Sequence, residues 1–464
     1  MRLTRRSAMS VAGLALLSGC ARAGRPAAQA QETVLHFAPW AGWLAAGPRW
    51  QTFVRTPLAA FERSHRGLRV EVVGPVDGGR AIPQLLAGTA PDVFSEFDIV
   101  PYITSSGLVA DLRSKLARDN IPMSTWSAGQ MRQFETAAGL WFLPNYLNVA
   151  VIAVNLADLD ARGIPHPDPG WTIAEAERLF RAATWDAAGR HHYGFCPVYR
   201  GVPYRSSGPL PNADFALEIF GGRVMDASRT RCLLGGRAVV RGVRWWQDLF
   251  ASGVATGIGA PLATPWAATF VENRNNHLLR DAQLWGSGRW AFLPIPEYPA
   301  GRLSWMGSEG YAISAQSRAP EAAWALLHYL AVDPAFQRYG MRVLLKPPSI
   351  LALWPEMTAV MEAVVPGFRG RGLHWYAESA ARWGRAGRAF KYAPENAMAM
   401  INGVFDQIGR QQADPAVVLP AVAKQVDALQ AEARRHPPPD GARLIARQRR
   451  SDQRLSSMFA AGRG

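Results

Sequence analysis

Residues 33–73, TVLHFAPWAGWLAAGPRWQTFVRTPLAAFERSHRGLRVEVV, indicate the fold class of this chain. The first six residues form a short β-like run, residues 51–65 carry apolar side chains at helical spacing, and residues 68–73 alternate like a strand. A strand, a helix and another strand in this order are typical of a parallel sheet covered by helices. The stretch therefore predicts an α/β fold.

The same succession continues downstream. A helix over 81–86, a strand over 92–94 and a helix over 99–105 are expected next, and residues 148–154, NVAVIAV, read as a strand covered on both faces. Thr172 followed three residues later by Glu175 predicts a capping box at a helix start. Further helices are expected near 212–220, 237–251, 266–280, 321–330, 357–365, 375–390, 394–410 and 416–434.

Length and composition limit the class of protein. With 464 residues, of which 48% are hydrophobic and 19% charged, the chain can bury a large core as two domains or one two-lobed unit. Three cysteines exclude a disulfide scaffold and a four-cysteine metal site. The net charge is +15, but residues 1–31 and 432–464 each carry +5 of it, so we expect no nucleic-acid partner.

The first twenty residues have the pattern of an export signal. Arg2, Arg5 and Arg6 precede a short apolar stretch, and Leu17-Ser18-Gly19-Cys20 follows. The stretch is too short to remain as a membrane-spanning helix. It resembles the bacterial lipoprotein signal, in which the cysteine thiol is acylated and becomes the new N-terminus. We therefore expect a signal peptide over 1–20 and a lipid anchor at Cys20.

The mature chain would then start with a flexible tether and end with a loose tail. Residues 21–32 are rich in Ala, Gly and Pro, and residues 435–464 are basic and polar. The oxidising environment of an exported protein leaves two alternatives open for Cys196 and Cys232, namely a disulfide or two separate buried thiols. We expect the protein in the periplasm or on the outer cell surface, held at the membrane.

Four segments, in order, carry a resemblance to a known family. They are GTAPDVF at 88–94 with SGLVADL at 106–112, GLWFLP at 139–144, GWT at 170–172, and GYAIS at 310–314 with PEAAW at 320–324. Their order and spacing over roughly residues 33–430 resemble the extracellular solute-binding proteins of ABC importers, family 1. This is the large sugar-binding group that includes the maltodextrin-binding protein.

The resemblance implies a two-lobed, periplasmic-binding-protein-like α/β fold of type II with the ligand in the interlobe cleft. Lobe 1 would comprise residues 33–147 and 308–346, and lobe 2 residues 148–307 and 347–434. The chain would cross between the lobes near 147–149, 305–310 and 346–348. Closure of the lobes over a solute would be the signal that a permease reads.

A sugar site needs flat aromatic side chains for the C–H faces of the rings and polar groups for the hydroxyls. Residues of both kinds fall in loops or at the expected crossings, and the resemblance adds weight to Asp98, Asn148 and Trp375. The predicted ligand contacts are Trp40, Trp43, Glu96, Asp98, Tyr146, Asn148, Trp290, Trp305, Glu309 and Trp375.

Each of these residues also has a structural alternative. A tryptophan is more often a core residue than a ligand platform, and Glu96 and Asp98 could compensate the charge of a helix N-terminus. The family's Gly-x-Trp loop is not cleanly present in 266–290, so Trp266 and Trp285 compete with Trp290 for its position.

The expected function is solute binding without catalysis, cofactor or metal, by a monomer that delivers a sugar or oligosaccharide to ABC permease subunits. The alternative is a secreted carbohydrate-active enzyme, a glycosidase or lyase. That enzyme would need two opposed carboxylates, whereas Glu96 and Asp98 belong to one loop and no opposing partner is evident.

Overall fold

The structure is a computed structural model of the chain. It describes residues 32–39, 48–74, 78–96, 106–196, 220–255, 266–272, 289–364, 366–386, 390–410 and 413–436, together with Arg443, Ala446 and Arg450.

The described residues form fourteen strands and thirteen α-helices. The strands are β1 (Thr33–Ala38), β2 (Leu68–Val72), β3 (Val93–Glu96), β4 (Glu135–Thr136), β5 (Gly139–Leu140), β6 (Leu143–Pro144), β7 (Asn148–Asn155), β8 (Trp185–Ala187), β9 (Arg190–Cys196), β10 (Trp266–Glu272), β11 (Trp290–Leu293), β12 (Ser304–Gly307), β13 (Gly310–Ile313) and β14 (Gly384–Ala386). The helices are α1 (Pro48–Ser64), α2 (Gly78–Ala87), α3 (Arg113–Arg118), α4 (Ala128–Phe134), α5 (Leu156–Ala161), α6 (Ile173–Ala182), α7 (Arg237–Ala251), α8 (Pro320–Ala331), α9 (Pro334–Leu344), α10 (Trp354–Val364), α11 (Trp375–Arg382), α12 (Pro394–Gly409) and α13 (Pro415–Arg435).

The first sheet has the strand order β2-β1-β3-β13-β6. β1 pairs in parallel with β2 and β3, as the opening stretch predicts, while β13 is antiparallel to β3 and β6. Alternation in β1 buries Leu35 and Phe37 and exposes His36. The buried face packs against α1 and α8, which contribute Phe61 and Leu327 to one hydrophobic core.

The second sheet has the order β14-β12-β7-β10-β9-β8, and β11 also pairs with β7. Seven of the eight residues of β7 are buried, because this strand has a hydrophobic core on each face. Ile152 and Val154 belong to the core that includes α6, α7 and α13, whereas Val149 and Val151 belong to the core with α10 and α11. The prediction of a strand covered on both faces is confirmed.

Most predicted helices are present. The helix over 237–251 has the expected bounds, and the capping box is formed, with the Thr172 hydroxyl accepting from the Glu175 N–H and the Glu175 carboxylate accepting from the Thr172 N–H. The predicted helices over 99–105 and most of 212–220 lie outside the described residues.

Two helix predictions were wrong in part. Residues 266–272 form β10, because antiparallel pairing with β7 and parallel pairing with β9 override their local helical spacing. The helix that begins at Trp375 ends at Arg382, and residues 384–386 form β14 beside β12. Sheet pairing, which is non-local, decides both segments.

The two sheets with their own cores give a two-lobed α/β architecture. In the part of the chain that the structure describes, no helix is long and apolar enough to cross a membrane.

Candidate ligand site between the two sheets

Two short connections join the sheets. β6 ends at Pro144 and β7 begins at Asn148, so three residues lead from the first sheet to the second. β12 ends at Gly307 and β13 begins at Gly310, so two residues lead back. Gly307 lies opposite Asn148 in the second sheet, and Gly310 lies opposite Pro144 in the first. The connections therefore hold one edge of each sheet close to the other.

Most of the paired strands of each sheet end at the edge that faces the other sheet. β1, β3 and β6 run toward the edge at which β13 begins, and β9, β10, β12 and β14 run toward the edge at which β7 begins. Ligands of open α/β sheets bind outside the carboxyl ends of strands. The space between the two edges is the candidate ligand site.

A third connection follows α9. Tyr146 forms a β-bridge with Pro348, which brings this connection against the first one. The Gln337 side chain joins the two: its Nε2 donates to the Asn145 carbonyl oxygen at 3.2 Å, and its Oε1 accepts from the Ser349 N–H at 3.0 Å. The three connections thus meet at one place.

Four buried polar residues, which we call the hinge cluster, lie at this meeting point: Asn145, Tyr146, Glu309 and Lys346. The Lys346 Nζ donates to Asn145 Oδ1 at 2.7 Å and lies 4.6 Å from the centroid of the Tyr146 ring. The Tyr146 hydroxyl donates to Glu309 Oε1 at 2.7 Å, and Asn145 Nδ2 lies 3.5 Å from Glu309 Oε2. None of the four residues is more than 5% exposed.

Burial governs the electrostatics of the cluster. Removal from water lowers the pKa of Lys346 well below its usual value, and the negative charge of Glu309 acts in the opposite direction. Burial, with a smaller contribution from Glu309, raises the pKa of the neighbouring Tyr311 hydroxyl. Removing one member of such a cluster leaves a buried charge uncompensated. The cluster therefore ties the three connections into one unit.

One face of α4 satisfies the backbone of the connections. The Tyr146 carbonyl oxygen accepts from Gln130 Nε2 at 2.8 Å and from the Ser308 hydroxyl. Gln133 Nε2 donates to the Ser308 carbonyl oxygen at 2.8 Å, and Gln133 Oε1 accepts from the Ser308 N–H at 3.2 Å. Buried backbone groups that would otherwise lack partners are thus paired.

α4 also approaches the second sheet closely. A Cβ added at Gly129 would lie 2.8 Å from the Met306 sulfur and would meet the carbonyl oxygen of Gly384. Beside it, the Ser127 hydroxyl donates to the Ala380 carbonyl oxygen at 2.9 Å. The contact between the lobes at the hinge therefore depends on the absence of a side chain at Gly129.

Asn148 is a predicted ligand contact whose buried side-chain amide makes no hydrogen bond to a described residue. Its side chain is fully buried, and neither its amide nitrogen nor its amide oxygen has a hydrogen-bond partner among the described residues. A buried amide without partners is costly, so such groups in native proteins usually have a role. Asn148 opens β7 at the edge that faces the first sheet, and its contact with a ligand stays a prediction.

Of five further predicted contacts, three cannot be placed and two are described by their backbones alone. Trp40, Trp43 and Asp98 lie outside the described residues. Glu96 ends β3 and Trp305 lies in β12, so their backbones reach the facing edges of the two sheets. Their contact with ligand stays a prediction.

Tyr146 and Glu309 are brought together by the structure, and they bind each other in the hinge cluster. In this conformation their side chains stabilise the connections between the sheets. A contact with ligand would require the cluster to rearrange.

Trp290 and Trp375 lie on the second sheet and its covering helix. Trp290 pairs opposite Asn155 at the far end of β7, seven residues or about 23 Å from Asn148. It is 5% exposed and belongs to the hydrophobic core with α10 and α11. The structure thus makes Trp290 a core residue rather than a cleft residue. Trp375 begins α11, is half-buried, and stacks on Trp383 with 6.4 Å between ring centroids.

Sequence reasoning missed the roles of Lys346 and Gln337. Lys346 is one of only four lysines among the 51 basic residues, and it directly precedes two prolines at an expected crossing. That rarity was a usable signal. Gln337 offers no such signal, because only the fold brings α9 next to Asn145.

The cysteines are not joined in the structure. Cys196 ends β9, while the backbone N–H of Cys232 donates to Asp427 of α13 at 2.6 Å, and both thiols are buried without a disulfide between them. Burial raises the pKa of the Cys232 thiol to about 11. Of the two alternatives that the sequence left open, the structure has the separate thiols. Cys20 lies outside the described residues.

No group of three or more metal-ligating side chains occurs within the described ranges. The site thus consists of backbone edges, a buried amide and the hinge cluster.

Comparison by sequence finds no relative: no protein-family profile matches the chain, and no curated protein is similar to it. Comparison by structure finds many. An ABC substrate-binding protein of Listeria monocytogenes, solved in complex with cycloalternan, matches with a TM-score of 0.67 and 14% identity over 86% of this chain and 98% of its own.

Two further solved structures give the same result. The sugar-binding protein MalE of Xanthomonas citri matches with a TM-score of 0.67 and 17% identity, covering 87% of this chain and 98% of that one. UspC of Mycobacterium tuberculosis matches with a TM-score of 0.63 and 17% identity, covering 86% and 100%. At these identities the likeness establishes the fold, and the chain has the two-lobed α/β fold of the sugar-binding proteins of ABC importers.

Proposed function

We propose that this protein is the solute-binding component of an ABC importer, which captures a sugar or oligosaccharide between two hinged lobes and delivers it to a membrane permease. The observation that carries the proposal is the convergence of two strand-end edges on a single buried hinge cluster. Solved structures with this fold include proteins bound to cycloalternan, mannotriose and maltose.

The lobes are proposed to divide at the connections. Lobe 1 would comprise 33–147 and 308–346, and lobe 2 would comprise 148–307 and 347–434. In support, each strand of the first sheet falls in the first set and each strand of the second sheet falls in the second set. Three short connections with a common buried cluster would act as the axis of closure, since a hinge is formed by a few residues at element ends.

Ligand contacts are proposed from both edges. From the second sheet, Asn148 would use its unpartnered amide to bond a hydroxyl, because an amide offers both donors and acceptors. From the first sheet, Glu96 ends β3, and we propose contacts from it, from Asp98, which follows β3 in the sequence, and from Trp40 and Trp43, which follow β1 in the sequence. Trp305 and Trp375 would add contacts from lobe 2.

The setting of the protein is also part of the proposal. The signal over 1–20, with Leu17-Ser18-Gly19-Cys20 at its end, favours an exported lipoprotein that the tether over 21–32 attaches to the outer face of the membrane. It would act as a monomer, with permease subunits as partners and no enzymatic activity of its own.

The test is a thermal-shift screen of the mature chain from Ala21 against maltose, maltotriose, mannotriose, tagatose and cycloalternan, followed by calorimetry on any hit. A ligand present at a hundredfold excess over its Kd stabilises the folded state by about 2.7 kcal/mol. We expect Asn148→Ala to weaken binding of the hit at least tenfold, and Asn396→Ala, on the exposed face of α12, to leave it within twofold.

Recovery of the compound after incubation separates the proposal from its alternative. A hit that is chemically unchanged supports a binding protein. A hit that is consumed by the purified protein would establish a carbohydrate-active enzyme, and equal affinities for the two asparagine variants would remove Asn148 from the site.

A further inference from the structure

The exposed face of α7, a helix that contributes no residue to the hinge cluster, carries a stripe of arginines. Arg237, Arg241 and Arg244 are separated by four and three residues, so their side chains lie on one side of the helix. The opposite side, which includes Val243 and Trp246, is buried in the core of the second sheet. All three arginines are exposed.

The stripe borders a groove between α7 and the first turns of α13, which we call the α7 groove. Its cavity has a volume of about 720 Å³, and Phe220, Trp245 and Pro420 form its apolar floor. A second cavity of about 590 Å³ shares Arg237 and Pro420 with the first, so the two are continuous along the start of α7.

The charge of the α7 groove is strongly positive. Arg223 and Arg231 line the second cavity, so five arginines line the combined groove and Asp248 is the single acidic residue among its lining residues. The N-terminal end of α7 adds to this field, since its first turn contains no acidic residue.

Two of the arginines are positioned by neighbours. The Arg241 guanidinium lies 5.1 Å from the centroid of the Phe220 ring, and Arg244 forms an ion pair with Asp414 at 3.1 Å. Both members of that pair are about half exposed, 52% and 51%, and such surface pairs contribute little free energy. The arginines therefore remain able to bind another carboxylate.

Shape and charge together indicate the class of partner. From Arg237 to Asp248 the helix rises about 17 Å, which matches about five residues of extended chain. An anionic lipid surface would match only the arginines, whereas a peptide can also place an apolar side chain against Trp245, which lines the same groove. We propose that the α7 groove binds an acidic polypeptide segment of a protein partner, with carboxylates on the arginines and an apolar side chain on Trp245 and Pro420. This inference goes beyond the proposed function and does not depend on it.

The test uses a fluorescein-labelled peptide, EELEFEE, and an uncharged control peptide, QQLQFQQ, with the full mature chain. We expect EELEFEE to bind with an affinity that falls as salt is raised, and QQLQFQQ to bind at least tenfold more weakly. The triple variant Arg237→Gln, Arg241→Gln, Arg244→Gln should weaken EELEFEE at least tenfold.

The matched control removes three exposed arginines elsewhere, as Arg55→Gln, Arg63→Gln and Arg178→Gln, and changes the net charge by the same amount. It should keep the peptide affinity within twofold of the unchanged protein. Equal losses in the two triple variants, or no binding of EELEFEE to the unchanged protein, would overturn the proposal. Circular dichroism and melting curves verify that both variants fold.

A second readout locates the peptide. In protein labelled with 5-fluorotryptophan, the ¹⁹F resonance that disappears in Trp245→Phe should shift when EELEFEE is added.

Vesicles containing phosphatidylglycerol test whether the groove binds an anionic lipid surface instead. One outcome would contradict the proposal: the triple variant of Arg237, Arg241 and Arg244 loses vesicle binding while the control triple variant keeps it, and EELEFEE does not shift the Trp245 resonance. The surface then binds lipid, and the peptide proposal is wrong.

Discussion

Lys346→Met tests the hinge cluster most directly, because it keeps the volume of the side chain and removes only its charge and donors. The change deletes the 2.7 Å hydrogen bond to Asn145, and a bond that involves a charged group contributes about 1.5–3 kcal/mol. It also leaves Glu309, which is fully buried, without its neighbouring positive charge. We expect the loss of the hydrogen bond to lower the free energy of unfolding by about 1.5–3 kcal/mol.

Denaturant unfolding followed by circular dichroism measures the loss, and Lys424→Met on the exposed face of α13 is the control, with an expected change within about 0.5 kcal/mol. The double variant Lys346→Met, Glu309→Gln removes both charges. Its destabilisation should be smaller than the sum of the single changes by about 0.5–3 kcal/mol. A loss below about 1 kcal/mol for Lys346→Met, or strict additivity in the double variant, would refute the reasoning.

The same cluster predicts a pH dependence. Because folding lowers the pKa of Lys346, the unfolded chain binds more protons than the folded one between the lowered pKa and the usual value of about 10.4. The free energy of unfolding should therefore rise with pH in that window, and more steeply in the unchanged protein than in Lys346→Met. Tyr298 and Tyr311, whose pKa values burial raises, act in the opposite direction above about pH 10, so the comparison is made below that pH.

Three further outcomes are expected. Gly129→Ala, which forces a Cβ into the contact between α4 and the second sheet, should destabilise the protein by about 1–3 kcal/mol, whereas Gly403→Ala in open space on α12 should stabilise it by about 0.4–1 kcal/mol in thermal unfolding. Cys196 and Cys232 should both react with Ellman's reagent after denaturation without reductant and react slowly in the folded protein; no free thiols in the denatured protein would show that they are paired. Trp290→Phe should lower stability by about 0.5–3 kcal/mol while leaving sugar affinity within twofold, and a tenfold loss of affinity would return this residue to the site.

Local patterns predicted much of the architecture. The apolar run of β7, the capping box at Thr172 and the amphipathic helix over 237–251 are properties of neighbouring residues, and all are present in the structure. The order of four family-like segments was enough to predict two lobes. In the strand, the cap and the helix, the relevant interactions are between residues close in sequence, or the pattern repeats along one element.

Non-local pairing accounts for what the sequence did not show. Residues 266–272 have helical spacing but form β10, because β7 and β9 offer hydrogen-bond partners more than 110 and 70 residues away, respectively. The position of Trp290 depends likewise on β11 pairing with the far half of β7. Periodicity within a segment carries no information about which strand lies beside it.

Apolar spacing and caps were enough to predict the α/β class and most helix bounds, whereas the two-lobed plan was predicted from the chain length and the family resemblance. The folded chain is needed to see that Tyr146 and Glu309 bind each other, that Lys346 is buried with them, and that the Asn148 amide has no hydrogen-bond partner among the described residues. Burial and hydrogen bonding at this place depend on three connections that meet in space. The second and third connections lie about 160 and 200 residues after the first in the sequence, so no local pattern can reveal their contact.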